Sequence, residues 1–143
     1  MTPRAEFIAL SALATGVSAL VACAVPWLAG SSNSEQAVKW VLPALVAGAL
    51  GAAAASARRR VTPAKAGALA LRTVACIVLA YVAVLAVVAA VVTGMEGAQM
   101  HWVVAIVLFG LLDCSWGIGP LSLFQYALSR RYLRRVQVIT DSP

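Results

Sequence analysis

Four long apolar runs dominate this 143-residue sequence, and each is close to the length of a membrane-spanning helix. A helix needs about 20 mostly apolar residues to cross roughly 30 Å of hydrocarbon. The runs also lack the period-two alternation that is typical of barrel strands. The sequence therefore predicts an all-α integral membrane protein that forms one four-helix bundle over residues 1–143. The predicted spans are 7–28, 40–57, 67–92 and 102–126, and a basic tail, 127–143, follows them.

The amino-acid composition excludes a soluble globular domain. The sequence is 62% hydrophobic and 11% charged, whereas a soluble domain carries roughly 25% charged residues to cover its surface. The net charge of +6 is concentrated in two basic clusters, 58–72 and 130–135, and each lies beside an apolar run. This placement indicates segments that face an anionic membrane leaflet, so we expect no nucleic-acid partner.

The basic residues also predict the orientation of the chain in the membrane. They are common in the middle loop and in the tail, whereas 29–39 contains only Lys39 and 93–101 contains neither lysine nor arginine. By the positive-inside rule, we expect both termini and the middle loop in the cytoplasm, as in a multi-pass protein of a bacterial-type inner membrane. The residues predicted to contact anionic lipid are Arg58, Arg59, Arg60, Arg130, Arg131, Arg134 and Arg135.

Three residues predict where the second and third helices begin. Pro43 falls in the first turn of the second span, where the missing amide of a proline is tolerated. Thr62 is a candidate N-cap for the third helix, and Pro63 is its expected first helical residue.

Small residues recur at every fourth position on the first two spans. Such stripes allow helices to approach closely in a membrane, where lipid offers no hydrophobic drive for association. Because alanine is abundant throughout the chain, the stripes predict helix packing and nothing more specific. They consist of Ala14, Ser18 and Ala22 on the first span and of Ala44, Gly48 and Ala52 on the second.

Cysteine and histidine are too sparse to indicate a metal or haem site. Cys23, Cys76 and Cys114 stand apart without a paired spacing, and His101 is the only histidine. The tetrapeptide that ends at Cys23 resembles a lipidation signal, but the apolar run continues through Leu28 and favours a spanning helix. We therefore expect no cofactor, no metal and no catalytic residue.

The fourth span contains a carboxylate near its middle. Asp113 lies about halfway along 102–126, where an ionised side chain costs at least about 2.5 kcal/mol. About two turns further on, Pro120 lacks an amide donor, so the carbonyl of Trp116, one turn from Asp113, has no usual partner. Gly117 and Gly119 make this turn easy to bend. The pattern predicts a kinked helix with a polar group at mid-membrane depth.

Matching the depths of the four spans predicts which side chains surround this carboxylate. Tyr81 on the third span lies at a similar height, and the first span brings two hydroxyl groups to this level. Asp113 has two possible roles. It either relays protons or cations, or it forms a hydrogen bond that holds its helix against a neighbour, and the second role is slightly favoured. The predicted intramembrane polar cluster consists of Asp113, Tyr81, Ser18, Thr15 and Ser115.

Three classes of function remain, and an enzyme is the least favoured because polar residues are few at the predicted interfaces. The preferred hypothesis is a small non-catalytic membrane protein that acts as an accessory or structural subunit of a larger membrane complex. The alternative is a homo-oligomeric transporter or channel in which Asp113 couples to protons or cations. The expected partners are the lipid bilayer and either other membrane subunits or copies of the chain itself.

Overall fold

The computed structural model describes residues 2–28, 34–57, 66–96 and 115–140, together with residues 104, 105, 107, 108 and 112. Its long elements are four α-helices, and a single 3-10 turn, Ser115–Gly117, directly precedes the last of them. The prediction of an all-α chain is confirmed across these residues. The helices are α1 (Pro3–Leu28), α2 (Ser34–Ala57), α3 (Ala66–Glu96) and α4 (Ile118–Thr140).

Three helices in the described part of the chain are long and apolar enough, by length and composition, to cross a membrane. Their apolar segments are Pro3–Ala22, Trp40–Ala57 and Ala66–Val91. The segment in α2 has the same bounds as the second predicted span. The first part of the fourth predicted span falls mostly outside the described residues, and α4 begins only at Ile118.

The start of α1 follows from its first residues. Thr2 is the N-cap, because its Oγ1 accepts a hydrogen bond from the backbone amide of Ala5 at 3.3 Å. Pro3 takes the first helical position, where its missing amide would have no partner in any case. Glu6 in the first turn interacts favourably with the positive end of the helix dipole.

The start of α2 corrects one prediction. The helix begins at Ser34, well before the apolar run at Trp40, so Pro43 lies in the helix interior and not in the first turn. The prediction was wrong because it equated the apolar run with the helix, whereas backbone hydrogen bonding continues into the preceding polar residues. A proline at this position removes one backbone hydrogen bond. Thr62 and Pro63 lie outside the described residues.

The helices form an antiparallel ring. Helices that follow one another along the chain pack side by side, and α4 closes the ring against α1. Gly16 of α1 meets Leu45 of α2, and Gly48 of α2 meets Thr15 earlier in α1, so these two helices run in opposite directions. On α3 and α2, Ile77 meets Gly51 while Tyr81 and Leu85 pack with Ala44 and Ala47, which gives the same antiparallel relation.

Small residues form the contact between α2 and its neighbours. Ala44, Gly48 and Ala52 are buried, so the predicted role of this stripe in packing is confirmed. A Cβ atom on Gly51 would lie 2.6 Å from the Cα atom of Ile77, which is much closer than ordinary van der Waals contact. The backbones of α2 and α3 therefore approach each other closely at Gly51.

Candidate functional site

Three members of the predicted polar cluster line one half-open cavity between the helices. Thr15 and Ser18 of α1 and Tyr81 of α3 surround a space of about 60 Å³, together with residues of α2 and the start of α4. Gly117 lines the same space, and a Cβ atom on it would lie 2.8 Å from the carbonyl oxygen of Ser18. Glycine at this position therefore allows the 3-10 turn to approach the backbone of α1.

Asp113 lies outside the described residues, but residues on both sides of it contact the surroundings of this cavity. Val107 packs against the buried cluster that contains Tyr81, and Gly117 lines the cavity itself. Ser115 lies elsewhere, because it is exposed and its hydroxyl donates to the carbonyl of Leu112 at 2.7 Å. The structure thus brings together Thr15, Ser18 and Tyr81 and leaves Ser115 apart.

The cavity walls are mostly apolar, and the two α1 hydroxyl groups are already hydrogen-bonded within their own helix. The Thr15 hydroxyl donates to the carbonyl of Ser11 at 2.7 Å, and the Ser18 hydroxyl donates to the carbonyl of Ala14 at 2.8 Å. Each bond satisfies the donor without a partner in the cavity. The space suits a few water molecules or a small side chain better than a hydrated ion.

The predicted kink region contains a change of helix type. The chain forms a 3-10 turn at Ser115–Gly117 and becomes α-helical at Ile118, and Pro120 lies in the first turn of α4. A proline is well tolerated there, because the first amides of a helix have no intrahelical acceptor. Gly119 has open space around the position of a Cβ atom, so close packing does not require glycine there.

A second polar cluster, which the sequence did not predict, joins α1 to α4. The hydroxyl of Ser11 donates to Oε1 of Gln125 at 3.2 Å, and both side chains are fully buried. Ser129, one turn beyond Gln125, is also fully buried. Within the described residues, Gln125 Nε2 and Ser129 Oγ have no hydrogen-bond partner. The sequence signal was available, since Gln125 is the one carboxamide inside the four predicted spans.

An ionic and aromatic cluster fastens the start of α1 to the end of α4. Arg131 Nη2 lies 2.9 Å from Glu6 Oε1, and Arg135 Nη1 donates to the other carboxylate oxygen. The ring of Phe7 packs on that of Tyr132 with the centroids 5.0 Å apart. The first turn of α1 and the later turns of α4 therefore lie at the same end of the bundle. Of the other arginines expected to meet lipid, Arg58–Arg60 lie outside the described residues.

The described part of the chain is all-helical, and three of its helices are long and apolar enough to cross a membrane, which defines the class of protein. No protein-family model matches the sequence, and neither a curated protein nor a solved structure matches it. Function is therefore inferred from the residues and contacts of this chain alone.

Proposed function

We propose that the protein is a small non-catalytic membrane protein that serves as an accessory or structural subunit of a larger membrane complex. The observation that carries this proposal is the use of polar groups inside the bundle. In the described residues, the hydroxyl groups of Thr15, Ser18 and Thr73 bond carbonyls of their own helices, and Ser11 bonds Gln125 across two helices. These hydroxyl groups are hydrogen-bonded inside the bundle, and one of the bonds joins two helices, whereas a transport pathway needs polar groups that face a continuous channel.

The outer surface supports both membrane insertion and docking. In the most apolar part of α3, 22% of residues are buried, compared with 39% in the corresponding parts of α1 and α2. An outward stripe on α3 alternates large and small side chains, and such a surface accepts the ridge of another helix. The stripe consists of Leu71, Ala75, Leu79, Ala83 and Val87, all of which are exposed.

The proposal includes an inner-membrane location with both termini in the cytoplasm, supported by the basic-residue asymmetry. The contact between Glu6 and Arg131 adds support, because it places the first turn of α1 and the later turns of α4 at one end of the bundle. Single cysteines at Ser32, Ala64 and Ser142, in a chain without its native cysteines, test the orientation with an impermeant thiol reagent. We expect labelling from outside at Ser32 only, and outside labelling at Ala64 or Ser142 would overturn the orientation.

Purification in a gentle detergent tests the partner role. We expect the tagged protein to retain a stoichiometric membrane partner, or further copies of itself, and Ala83→Phe to lose that partner. The reason is that a phenyl ring fills the small position of the outward α3 stripe. Ala54→Phe makes the same change at an exposed position of α2 and should keep the partner. Equal retention by all three proteins, or a wild-type protein that is always monomeric, would contradict the proposal.

The cavity favours a second candidate, a homo-oligomeric transporter or channel that couples to protons or cations through Asp113. Thr15, Ser18 and Tyr81 line a space next to Gly117, which follows Asp113 closely in sequence. The two candidates differ in the expected effect of Asp113→Asn. A relay loses proton flux in proteoliposomes loaded with a pH-sensitive dye, while assembly is unchanged. A packing role leaves Asp113→Asn nearly silent, and Asp113→Leu then weakens assembly through the loss of a hydrogen bond worth about 0.6–1.7 kcal/mol.

A further inference from the structure

The four arginines of α4 fall into two pairs with different surroundings. Arg131 and Arg135 are one turn apart and share the carboxylate of Glu6. Arg130 and Arg134 are also one turn apart, both are exposed, and neither makes an ion pair with any residue that the structure describes. The first pair holds α4 against α1, whereas the second carries two uncompensated positive charges.

The unpaired arginines lie in an open groove at the surface of α4. Its volume is about 680 Å³, and its wall consists of Tyr126, Ala127 and all four arginines of α4, including Arg131 and Arg135. Tyr126, Arg130 and Arg134 recur at every fourth position, so they form one stripe along the helix. Ala127 is the small residue that leaves room between the long side chains. Directly above the groove, on the side towards the start of α4, Leu123 is 75% exposed.

We propose that this groove binds the phosphate headgroup of an anionic phospholipid, with Arg130 and Arg134 as its ligands. Each guanidinium offers a planar fork of donors that suits two phosphate oxygens. Tyr126 provides the aromatic, polar-tipped side chain that is typical of the membrane interface. The exposed Leu123 favours a lipid over free phosphate, because an acyl chain can lie along the apolar surface that continues from the groove. The inference rests on the proposed membrane location but not on the partner role.

The difference between the two arginine pairs gives a matched experiment. The full-length protein in detergent is titrated with short-chain phosphatidylglycerol, and bound lipid is counted by native mass spectrometry. Arg130→Gln/Arg134→Gln should weaken phosphatidylglycerol binding about thirtyfold, since each arginine near a headgroup contributes about 1 kcal/mol, or about fivefold in affinity. Arg131→Gln/Arg135→Gln removes the same charge from the groove wall but should weaken binding by about threefold or less, because Glu6 already engages both guanidinium groups. It should also lower the melting temperature, because Glu6 loses its partners.

Two further ligands complete the test: phosphatidylcholine with the same acyl chains, and inorganic phosphate. We expect weak binding of phosphatidylcholine and no competition from millimolar phosphate. Equal losses in the two double variants would show a diffuse charge effect, and no loss in either would show that the groove binds no anionic lipid. Competition by inorganic phosphate would identify a free-ion site, and each of these three results overturns the proposal.

If the first double variant is aggregated on size exclusion, Arg134→Gln alone is used and should weaken binding about fivefold. The partner role is tested separately, by the loss of the partner in Ala83→Phe. Failure of the lipid proposal can therefore be distinguished from failure of the partner proposal.

Discussion

Gly51→Ala is expected to destabilise the bundle by about 1–2 kcal/mol. The added methyl carbon would lie 2.6 Å from both the Cα and the backbone nitrogen of Ile77, and a backbone cannot move aside as a flexible side chain can. Overpacking of this kind costs about 1–3 kcal/mol, and the better helix propensity of alanine returns up to about 1 kcal/mol. Separation of α2 from α3 is the expected response. Thermal unfolding of the purified protein in detergent, followed by tryptophan fluorescence, measures the effect.

Gly67→Ala is the matched control for this prediction. Gly67 is an exposed helical residue of α3, and a Cβ atom there meets no atom within 4 Å. The same substitution should leave stability unchanged or raise it by up to about 1 kcal/mol. Similar melting temperatures for the two variants would mean that α2 and α3 do not approach as closely as the structure shows. Gly51→Leu extends the series, and it should be more harmful than Gly51→Ala.

The sequence predicted the apolar segments of the helices better than their ends. The apolar segment of α2, Trp40–Ala57, is visible as a run of hydrophobic residues because residue type alone defines it. The helix bounds depend on backbone hydrogen bonding, which continues into polar residues, so α2 begins at Ser34. This difference explains why Pro43 was assigned to the wrong part of its helix.

The candidate site could be predicted only in part, for a related physical reason. Matching the depths of the spans predicted a similar height for Thr15, Ser18 and Tyr81, and the structure has all three around one cavity. Depth says nothing about rotation of a helix about its own axis. The contact between Ser11 and Gln125, which are 114 residues apart in sequence, depends on both the rotation and the register of α1 and α4. A pattern along a single helix cannot supply that information.

Gln125→Glu should destabilise the protein by about 3 kcal/mol at neutral pH. Gln125 is fully buried between α1 and α4, and its Oε1 accepts a hydrogen bond from Ser11 at 3.2 Å. The glutamate has nearly the same shape but introduces a carboxylate with no described cation beside it. A buried unpaired charge costs several kcal/mol, whereas the protonated acid costs much less. The variant should therefore be less stable at pH 8 than at pH 5, and thermal unfolding at the two pH values measures the difference.

Two other variants separate the effect of charge from the effect of position. Gln137→Glu makes the same change at an exposed residue of α4 and should alter stability by less than about 0.5 kcal/mol. Gln125→Leu removes the bond to Ser11, which is worth about 0.6 kcal/mol on average in membrane proteins, but it also removes the amide nitrogen that has no partner among the described residues. The two effects oppose each other, so this variant should remain within about 1 kcal/mol of the native protein. If Gln125→Glu and Gln137→Glu unfold at the same temperature, the carboxylate is not buried, and α1 and α4 are not packed together at this depth.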